Sequence, residues 1–150
     1  MIIAFGSDHG GVQLKAILIE CARQQGHIAI DCSANSTQPI DYPDPAKIVA
    51  GKIIAGDADK GVLICKTGIG MSIAANKVRG IRAALAYNEE IARLSRRHND
   101  ANVLCFGAGY TEADLAVRIL TAWLESEFEG GRHQRRVNKL QELEEMNCGF

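Results

Sequence analysis

A chain of 150 residues, 47% hydrophobic and 23% charged, has the size and composition of one domain with a single core. Its net charge of −1 gives no electrostatic reason to expect a nucleic acid or a membrane surface as a partner. The apolar start is too short for a secretory signal, and the five cysteines form no CxxC pair, so we expect a reduced, cytoplasmic protein.

Short apolar runs alternate with amphipathic stretches along the whole chain. In chain order the predicted elements are a strand (1–6), a helix with its apolar face between 14 and 22, a strand (27–32), a polar loop (33–44), a helix (44–55), a strand (61–65), a short helix ending near 76, a strand (81–86), a helix (89–97), a strand (102–107), a helix (111–124) and a charged helix (132–146).

This alternation predicts one α/β domain over residues 1–150, with 132–150 as a C-terminal helical extension. The expected architecture is a three-layer, doubly wound, Rossmann-like fold, in which helices cover both faces of a five-stranded parallel sheet. Ligands of such sheets bind beyond the carboxyl ends of the strands. We expect three polar groups to meet there: 7–9 after the first strand, 65–70 after the third, and 98–100 just before the fifth.

The turn TGIGMS, residues 67–72, follows the third strand directly. Two glycines allow backbone N–H groups to approach an anion, and the N-terminus of the following helix adds a positive dipole end. Glycines also end strands for purely steric reasons, so the turn alone leaves both interpretations open.

Cys65 closes the third strand immediately before this turn. A helix N-terminus and the neighbouring Lys66 both stabilise a negatively charged thiolate. The alternative is a small buried core residue, the role expected for the other four cysteines, Cys21, Cys32, Cys105 and Cys148. The adjacent anion turn favours a reactive role for Cys65.

Two histidines and one aspartate accompany this cysteine in the predicted ligand-binding region. Asp8 and His9 also fit a capped turn, and residues 98–100 also fit a polar loop. No HxxxH or CxxC spacing supports a metal site, and we expect none. Together with Cys65, Asp8, His9 and His98 supply the acid and base groups that proton transfer needs.

A basic cluster, Arg132, His133, Arg135 and Arg136, opens the last predicted helix. Arg132 and Arg136 stand at i and i+4, so they project from one face and can clamp a phosphate. The alternative is a solvated helix start that pairs with nearby glutamates. Cations at a helix N-terminus oppose the helix dipole, which favours an anionic ligand.

Taken together, these segments resemble the sugar-phosphate isomerase family that includes ribose-5-phosphate isomerase B and the galactose-6-phosphate isomerase subunits. The matching segments run in family order and are 6–9 (GSDH), 41–44 (DYPD), 63–65 (LIC), 67–77 (TGIGMSIAANK), 80–84 (GIRAA), 95–104 (SRRHNDANVL) and 128–137 (FEGGRHQRRV). They cover nearly the whole chain.

The resemblance implies an aldose–ketose isomerase that needs no metal or cofactor and interconverts ribose 5-phosphate and ribulose 5-phosphate through an enediolate. It implies that Cys65 moves the proton, that Thr67 and the backbone of 68–70 stabilise the oxyanion, and that His98 assists ring opening. Asp8 and Asn99 would contact hydroxyls, and His9, Arg132 and Arg136 the phosphate. The catalytic set that we expect is Cys65, His98 and Thr67, and the substrate-binding set that we expect is Asp8, His9, Lys66, Gly68, Ile69, Gly70, Ser72, Asn99, Arg132 and Arg136.

The resemblance also implies a homodimer or a dimer of dimers, with each active site at a subunit interface. Two positions depart from the family pattern: Lys66 stands where glycine is usual, and Gly109 where arginine is typical. These departures leave the reaction class unchanged and bear on which sugar is bound: Lys66 replaces the lost charge, or the substrate differs in length or phosphate position. Three alternatives stay open. They are a paralogue acting on a four- or six-carbon aldose phosphate, a non-catalytic sugar-phosphate or nucleotide binding module, and a Cys–His hydrolase using Cys65 and His98.

Overall fold

The structure, a computed structural model, describes residues 1–33 and 38–146; residues 34–37 of the predicted polar loop and 147–150, including Cys148, lie outside this part. Its elements are β1 (Ile2–Ser7), α1 (Val12–Gln24), β2 (Ile28–Asp31), α2 (Pro43–Ile54), β3 (Lys60–Cys65), α3 (Ile69–Ala75), β4 (Ala83–Leu85), α4 (Glu89–Asn99), β5 (Val103–Gly107), α5 (Ala113–Leu124) and α6 (Arg132–Met146). Every predicted strand and helix is present, with ends shifted by a few residues.

The five strands form one sheet in the order β2-β1-β3-β5-β4, and every pair is parallel. Helices α1, α4 and α5 pack on one face of the sheet, and α2 and α3 pack on the other. This arrangement confirms the predicted doubly wound α/β fold. None of the helices in the described part is long and apolar enough to cross a membrane.

Side chains alternate between two cores because successive residues of a strand point to opposite faces. Phe5, Ile64 and Phe106 enter the core beneath α1, α4 and α5, where the single tryptophan, Trp123, is fully buried. Cys65 and Cys105 enter the opposite core, beneath α2 and α3. The face of β3 that carries Cys65 is therefore the face that α2 and α3 cover.

The order in which the chain adds strands reverses between the neighbouring strands β1 and β3. From β1 the chain continues to β2 on one side, and from β3 it continues to β4 and β5 on the other side. The helix that follows β1 lies on one face of the sheet, whereas the helix that follows β3 lies on the other. The two following loops diverge and leave a crevice, which is where doubly wound sheets bind ligands. We call the loops 7–11, 66–70 and 107–110, which follow β1, β3 and β5, the carboxyl edge.

Candidate active site

The first loop of the carboxyl edge carries Asp8 and His9. The Asp8 backbone N–H donates to the Ile64 carbonyl oxygen at 3.1 Å, which holds the loop against the end of β3. The Asp8 carboxylate is almost fully buried and accepts the Gly10 N–H at 2.9 Å. His9 is exposed, and its Nδ1 accepts the Ile40 N–H at 3.4 Å, so the ring proton belongs on Nε2.

The second loop places Cys65 against a backbone donor. The Gly68 N–H donates to Cys65 Sγ at 3.2 Å, and the thiol is only 4% exposed. Gly68 has a φ of 77°, and a Cβ at this residue would lie 2.5 Å from Leu85 Cδ1. Only glycine fits this left-handed, crowded position. The left-handed turn at Gly68 directs the Gly68 N–H towards Cys65 Sγ. A donated N–H stabilises negative charge on that atom.

Cys105, one strand away on the same face, has a different environment. Its side chain is fully buried on β5, and burial raises the pKa of its thiol far above the ordinary value of 9.0, with neighbouring Cys65 adding to the rise. A thiol with so high a pKa stays protonated and inert. Of this adjacent pair, only Cys65 reaches the end of its strand and a backbone donor.

The remaining predicted residues of the carboxyl edge lie in the same loop. Thr67 Oγ1 accepts the Ile69 N–H at 3.3 Å, and Ser72 Oγ donates to the Ile69 carbonyl oxygen at 2.8 Å within α3. A Cβ on Gly70 would lie 2.8 Å from the Tyr42 ring, so the loop before α2 packs directly on this turn. Lys66 and Ile69 are exposed.

A buried lysine anchors the carboxyl edge from below. Lys15 on α1 is fully buried, and its Nζ donates to Asp31 Oδ1 at 2.7 Å and to Ser33 Oγ at 3.0 Å. The same Ser33 oxygen accepts the Ser7 N–H at 2.9 Å. This network ties the end of β2 to the end of β1, one residue before Asp8.

The histidine predicted to open the sugar ring lies in a separate cluster. The rings of His98 on α4 and His133 on α6 are stacked, with centroids 4.1 Å apart and planes at 5°. Each Nε2 lies 3.7 Å from Glu129 Oε2, and Glu129 also binds Arg97. We call 98–100, Glu129 and 132–136 the amino edge.

Charges within this cluster set its protonation. The hydrogen bond from Arg97 lowers the pKa of Glu129, which stays a carboxylate. Burial first, then His98 and the two arginines at positions 132 and 136, lower the pKa of His133, whereas Glu129 raises it. His133 is therefore neutral near pH 7 and packs against His98 without adding a like charge.

The two edges lie at opposite ends of the sheet. Helix α4 runs against the strands, so His98 and Asn99 lie beside the amino end of β5, where Asn102 accepts the Gly61 N–H. Cys65, by contrast, pairs with Gly107 at the carboxyl end. The four residue steps from Gly61 to Cys65 span about 13 Å. The expectation that residues 98–100 meet Cys65 at the ligand edge of a single chain is therefore wrong.

Arg132 and Arg136 belong to the amino edge and are exposed. The Arg132 Nε donates to His133 Nε2 at 3.4 Å, while Glu129 pairs with Arg97, His98 and His133 rather than with these arginines. Of the predicted phosphate contacts, His9 is thus on one edge and both arginines are on the other.

The amino edge is the one place in the described residues where three metal-ligating side chains converge. His98, Glu129 and His133 offer ligand atoms within 4.8 Å of one another. The two imidazole planes are parallel, however, so their nitrogen lone pairs lie in separate planes and do not converge on one ion. As folded, the trio is a stacked, carboxylate-linked histidine pair.

Sequence reasoning missed two features of these edges. His133 was treated only as part of a basic cluster, and its contact with His98 depends on tertiary packing of α4 on α6. Lys15 was not singled out, although a signal existed. It stands three and seven residues before Leu18 and Ala22, on the buried face of α1.

The chain is similar to known proteins over nearly its whole length. The sequence matches the ribose/galactose isomerase family over residues 3–140. Escherichia coli ribose-5-phosphate isomerase B is 46% identical over 143 residues, covering 95% of this chain and 96% of the relative. The structure of Clostridium thermocellum ribose-5-phosphate isomerase B is similar with a TM-score of 0.96 and 46% identity, covering 98% of this chain and 99% of that one.

A more distant structure, Trypanosoma brucei type B ribose 5-phosphate isomerase, has a TM-score of 0.92 at 39% identity, covering 95% and 97% of the two chains. The chain therefore belongs to the ribose/galactose isomerase family, a family of enzymes that isomerise sugars.

Proposed function

We propose that this protein interconverts ribose 5-phosphate and ribulose 5-phosphate, with Cys65 as the base and without a metal or cofactor. The observation that carries the proposal is the hydrogen bond from the Gly68 N–H to Cys65 Sγ at the crevice of the sheet, in a chain that belongs to an isomerase family. The relatives from Escherichia coli and Clostridium thermocellum, both named as ribose-5-phosphate isomerase B, support the choice of sugar. A cytoplasmic location stays a prediction from the sequence.

The proposed proton transfer runs through the Cys65 sulfur. In the open-chain aldose, the thiolate removes the proton from C2, and the C2–H electron pair forms the C1=C2 bond while negative charge moves to O1. The O2 hydroxyl then passes its proton to O1, which becomes the C1 hydroxyl, and the negative charge moves to O2. The thiol returns its proton to C1 as an O2 lone pair forms the C2 ketone, which regenerates the thiolate, so each step balances.

Charge on O1 needs donors that are already in place. Thr67 and the backbone N–H groups of 68–70 form the loop around Cys65, and we assign them this role. Without substrate the Gly68 N–H donates to Cys65 Sγ and the Ile69 N–H to Thr67 Oγ1, so these two donors are shared with O1 when the substrate is bound. Asp8, almost buried and held by the Gly10 N–H, is rigid enough to orient a substrate hydroxyl. Preorganised dipoles of this kind stabilise a transition state without reorganising during the reaction.

The phosphate site is assigned to His9, Arg132 and Arg136. The Ile40 N–H occupies His9 Nδ1, which leaves the Nε2 proton free to point at a phosphate oxygen. Arg132 and Arg136 lie one helical turn apart on α6, which suits a clamp on one phosphate group.

These roles require two copies of the chain. His98, Asn99, Arg132 and Arg136 lie on the amino edge, whereas Cys65, Asp8 and His9 lie on the carboxyl edge. We propose that the amino edge of one copy closes over the carboxyl edge of its partner in a homodimer, or in a dimer of such dimers. The same separation argues against a Cys65–His98 hydrolase within one chain.

A substrate panel tests the proposal. Four-, five- and six-carbon aldose phosphates are assayed for isomerisation and for exchange of the C2 proton with solvent. We expect the highest kcat/KM for ribose 5-phosphate. We also expect Cys65→Ala to lower kcat by at least about 100-fold. Cys105→Ala, the matched control in the same core, should stay close to wild type.

Two outcomes would contradict the proposal: full turnover in Cys65→Ala, or preference for a four- or six-carbon sugar. The last would favour the paralogue alternative. Binding of ribose 5-phosphate without any turnover would instead favour a sugar-phosphate binding module.

A further inference from the structure

The side chain of Lys66 lies across Gly109. A Cβ built on Gly109 would lie 2.8 Å from Lys66 Cε, closer than real Cβ atoms approach, and 3.0 Å from Lys66 Cδ, so the Lys66 stem would have to move. The backbones are also joined, because the Gly109 N–H donates to the Lys66 carbonyl oxygen at 3.0 Å. The stem of Lys66 therefore fills the space that a side chain at position 109 would need.

Lys66 is also the only lysine or arginine in the loops 7–11, 66–70 and 107–110 of the carboxyl edge. It is exposed, and within the described part of the chain its ammonium has no carboxylate partner. The ammonium of Lys15, which anchors this edge from α1, is already paired with Asp31. A Cβ on Gly10 would lie 3.9 Å from the Lys66 backbone nitrogen, so Lys66 adjoins the loop that carries His9.

The two positions that depart from the family pattern, 66 and 109, are thus in direct contact. The glycine at position 109 leaves room for the side chain of Lys66, which supplies the cation. Packing along Gly109 also restrains a flexible stem, which reduces the conformational entropy lost when the ammonium binds an anion.

We propose that Lys66 and Gly109 form one specificity element, in which the Lys66 ammonium binds the phosphate monoester of the substrate and the absent side chain at 109 makes this possible. This inference deepens the proposed function and rests on it. Phosphate binding far from the reacting carbons is the same in ground and transition states, so it acts on KM rather than on kcat.

A double-mutant cycle tests the coupling. The variants are Lys66→Met, which keeps the stem and removes the charge, then Lys66→Gly, Gly109→Arg and the double variant Lys66→Gly/Gly109→Arg. Lys139→Met, an exposed lysine on α6, serves as the control. The readouts are KM and kcat for ribose 5-phosphate and the Kd of inorganic phosphate, which needs no turnover.

We expect Lys66→Met and Lys66→Gly to raise KM about tenfold. Because the ammonium also stabilises the Cys65 thiolate, kcat should fall as well, but by a smaller factor of about three. Gly109→Arg alone should also raise KM, because its arginine meets the Lys66 stem. The double variant should recover KM to within about threefold of wild type, so that the two effects do not add. Lys139→Met should change neither constant.

An unchanged KM in Lys66→Met, in an enzyme that turns over ribose 5-phosphate, would overturn the inference and leave the proposed function intact. Additive losses in the double variant would overturn the steric coupling. If wild type fails to isomerise ribose 5-phosphate while Lys66→Met still weakens phosphate binding, the proposed function fails and the specificity element stands. Lys66→Met keeps the buried contacts, so a poorly folded Gly109→Arg does not block the test.

Discussion

The two edges of the sheet are built in different ways. At the carboxyl edge, backbone groups do most of the positioning: the Gly68 N–H reaches Cys65 Sγ, and the Gly10 N–H reaches Asp8. At the amino edge, side chains position one another: an imidazole on α4 stacks on an imidazole on α6, and both rings lie near the same carboxylate, that of Glu129.

This difference separates two tasks. Backbone donors in a glycine loop hold a reacting group within narrow limits, as the proton transfer proposed for Cys65 requires. Charged side chains on α4 and α6 are longer and more mobile, and they suit the recognition of a phosphate and of sugar hydroxyls. Neither edge of one chain carries both sets of groups.

The sharpest way to break the comparison is to disable each edge in a different copy. We expect Cys65→Ala and His98→Ala each to lose at least about 100-fold in kcat. When the two are co-expressed in equal amounts, about one quarter of wild-type activity should return, since half of the dimers are mixed and each has one intact site. The measurement is specific activity of the purified mixture.

The matched control pairs Cys65→Ala with a Cys65→Ala/His98→Ala double variant, a combination that cannot form an intact site. No recovery in the test mixture would place the complete site within one chain, and recovery in the control would show that activity does not need Cys65.

The anchoring of the carboxyl edge can be tested through Lys15 and Asp31. Asp31→Asn leaves a fully buried ammonium without its carboxylate, and we expect a loss of about 3–5 kcal/mol in the free energy of unfolding. Lys15→Met removes the ammonium and leaves a partly exposed carboxylate, so the loss should be smaller, about 1–3 kcal/mol. Urea unfolding measures both, and the reverse ranking would show that the ion pair is not the anchor.

The amino edge should show a smaller, pH-dependent effect. Because the folded chain lowers the pKa of His133 below 6.5, the unfolded chain binds a proton that the folded chain does not bind as the pH falls. The stability contributed by neutral His133 is present above about pH 6.5 and is lost progressively below it. We expect His133→Gln to lose less stability than wild type between about pH 7.5 and about pH 5.5.

Urea midpoints at the two pH values measure this difference. His27, whose pKa is lowered by burial, the N-terminus and Lys60, lies apart from the amino edge. By the same linkage, His27→Gln should also lose less stability than wild type, so only the double variant His27→Gln/His133→Gln should show both effects added. An identical pH dependence in wild type and His133→Gln would contradict the assignment.

Most of the fold could be predicted from the sequence, because the alternation of apolar runs and amphipathic helices is strong and regular. The carboxyl edge followed from the same pattern: Asp8 and Cys65 come directly after strands, and residues after parallel strands share one edge. The position of His98 was misjudged, since a residue just before a strand lies at the other end of the sheet.

Other features of the edges depend on contacts between distant segments. The stacking of His98 on His133 brings together residues 35 positions apart, and no local pattern encodes it. The contact between Lys66 and Gly109 likewise needs β3 and β5 to be neighbours, although β4 lies between them in the chain. Such pairs become visible only when the strand order is known.

The buried tryptophan has a practical consequence for solution experiments. Trp123 is the only tryptophan in the sequence, and the cations of Lys60 and Arg96 lie 5.5 Å and 5.9 Å from its ring. Arg96 in turn binds Asp100, the residue that ends α4 at the amino edge. The chain thus carries an intrinsic fluorophore that Arg96 and Asp100 connect to the amino edge. Its emission therefore reports, without a label, on the core beneath α1, α4 and α5 and on the packing of the histidine-bearing helix α4.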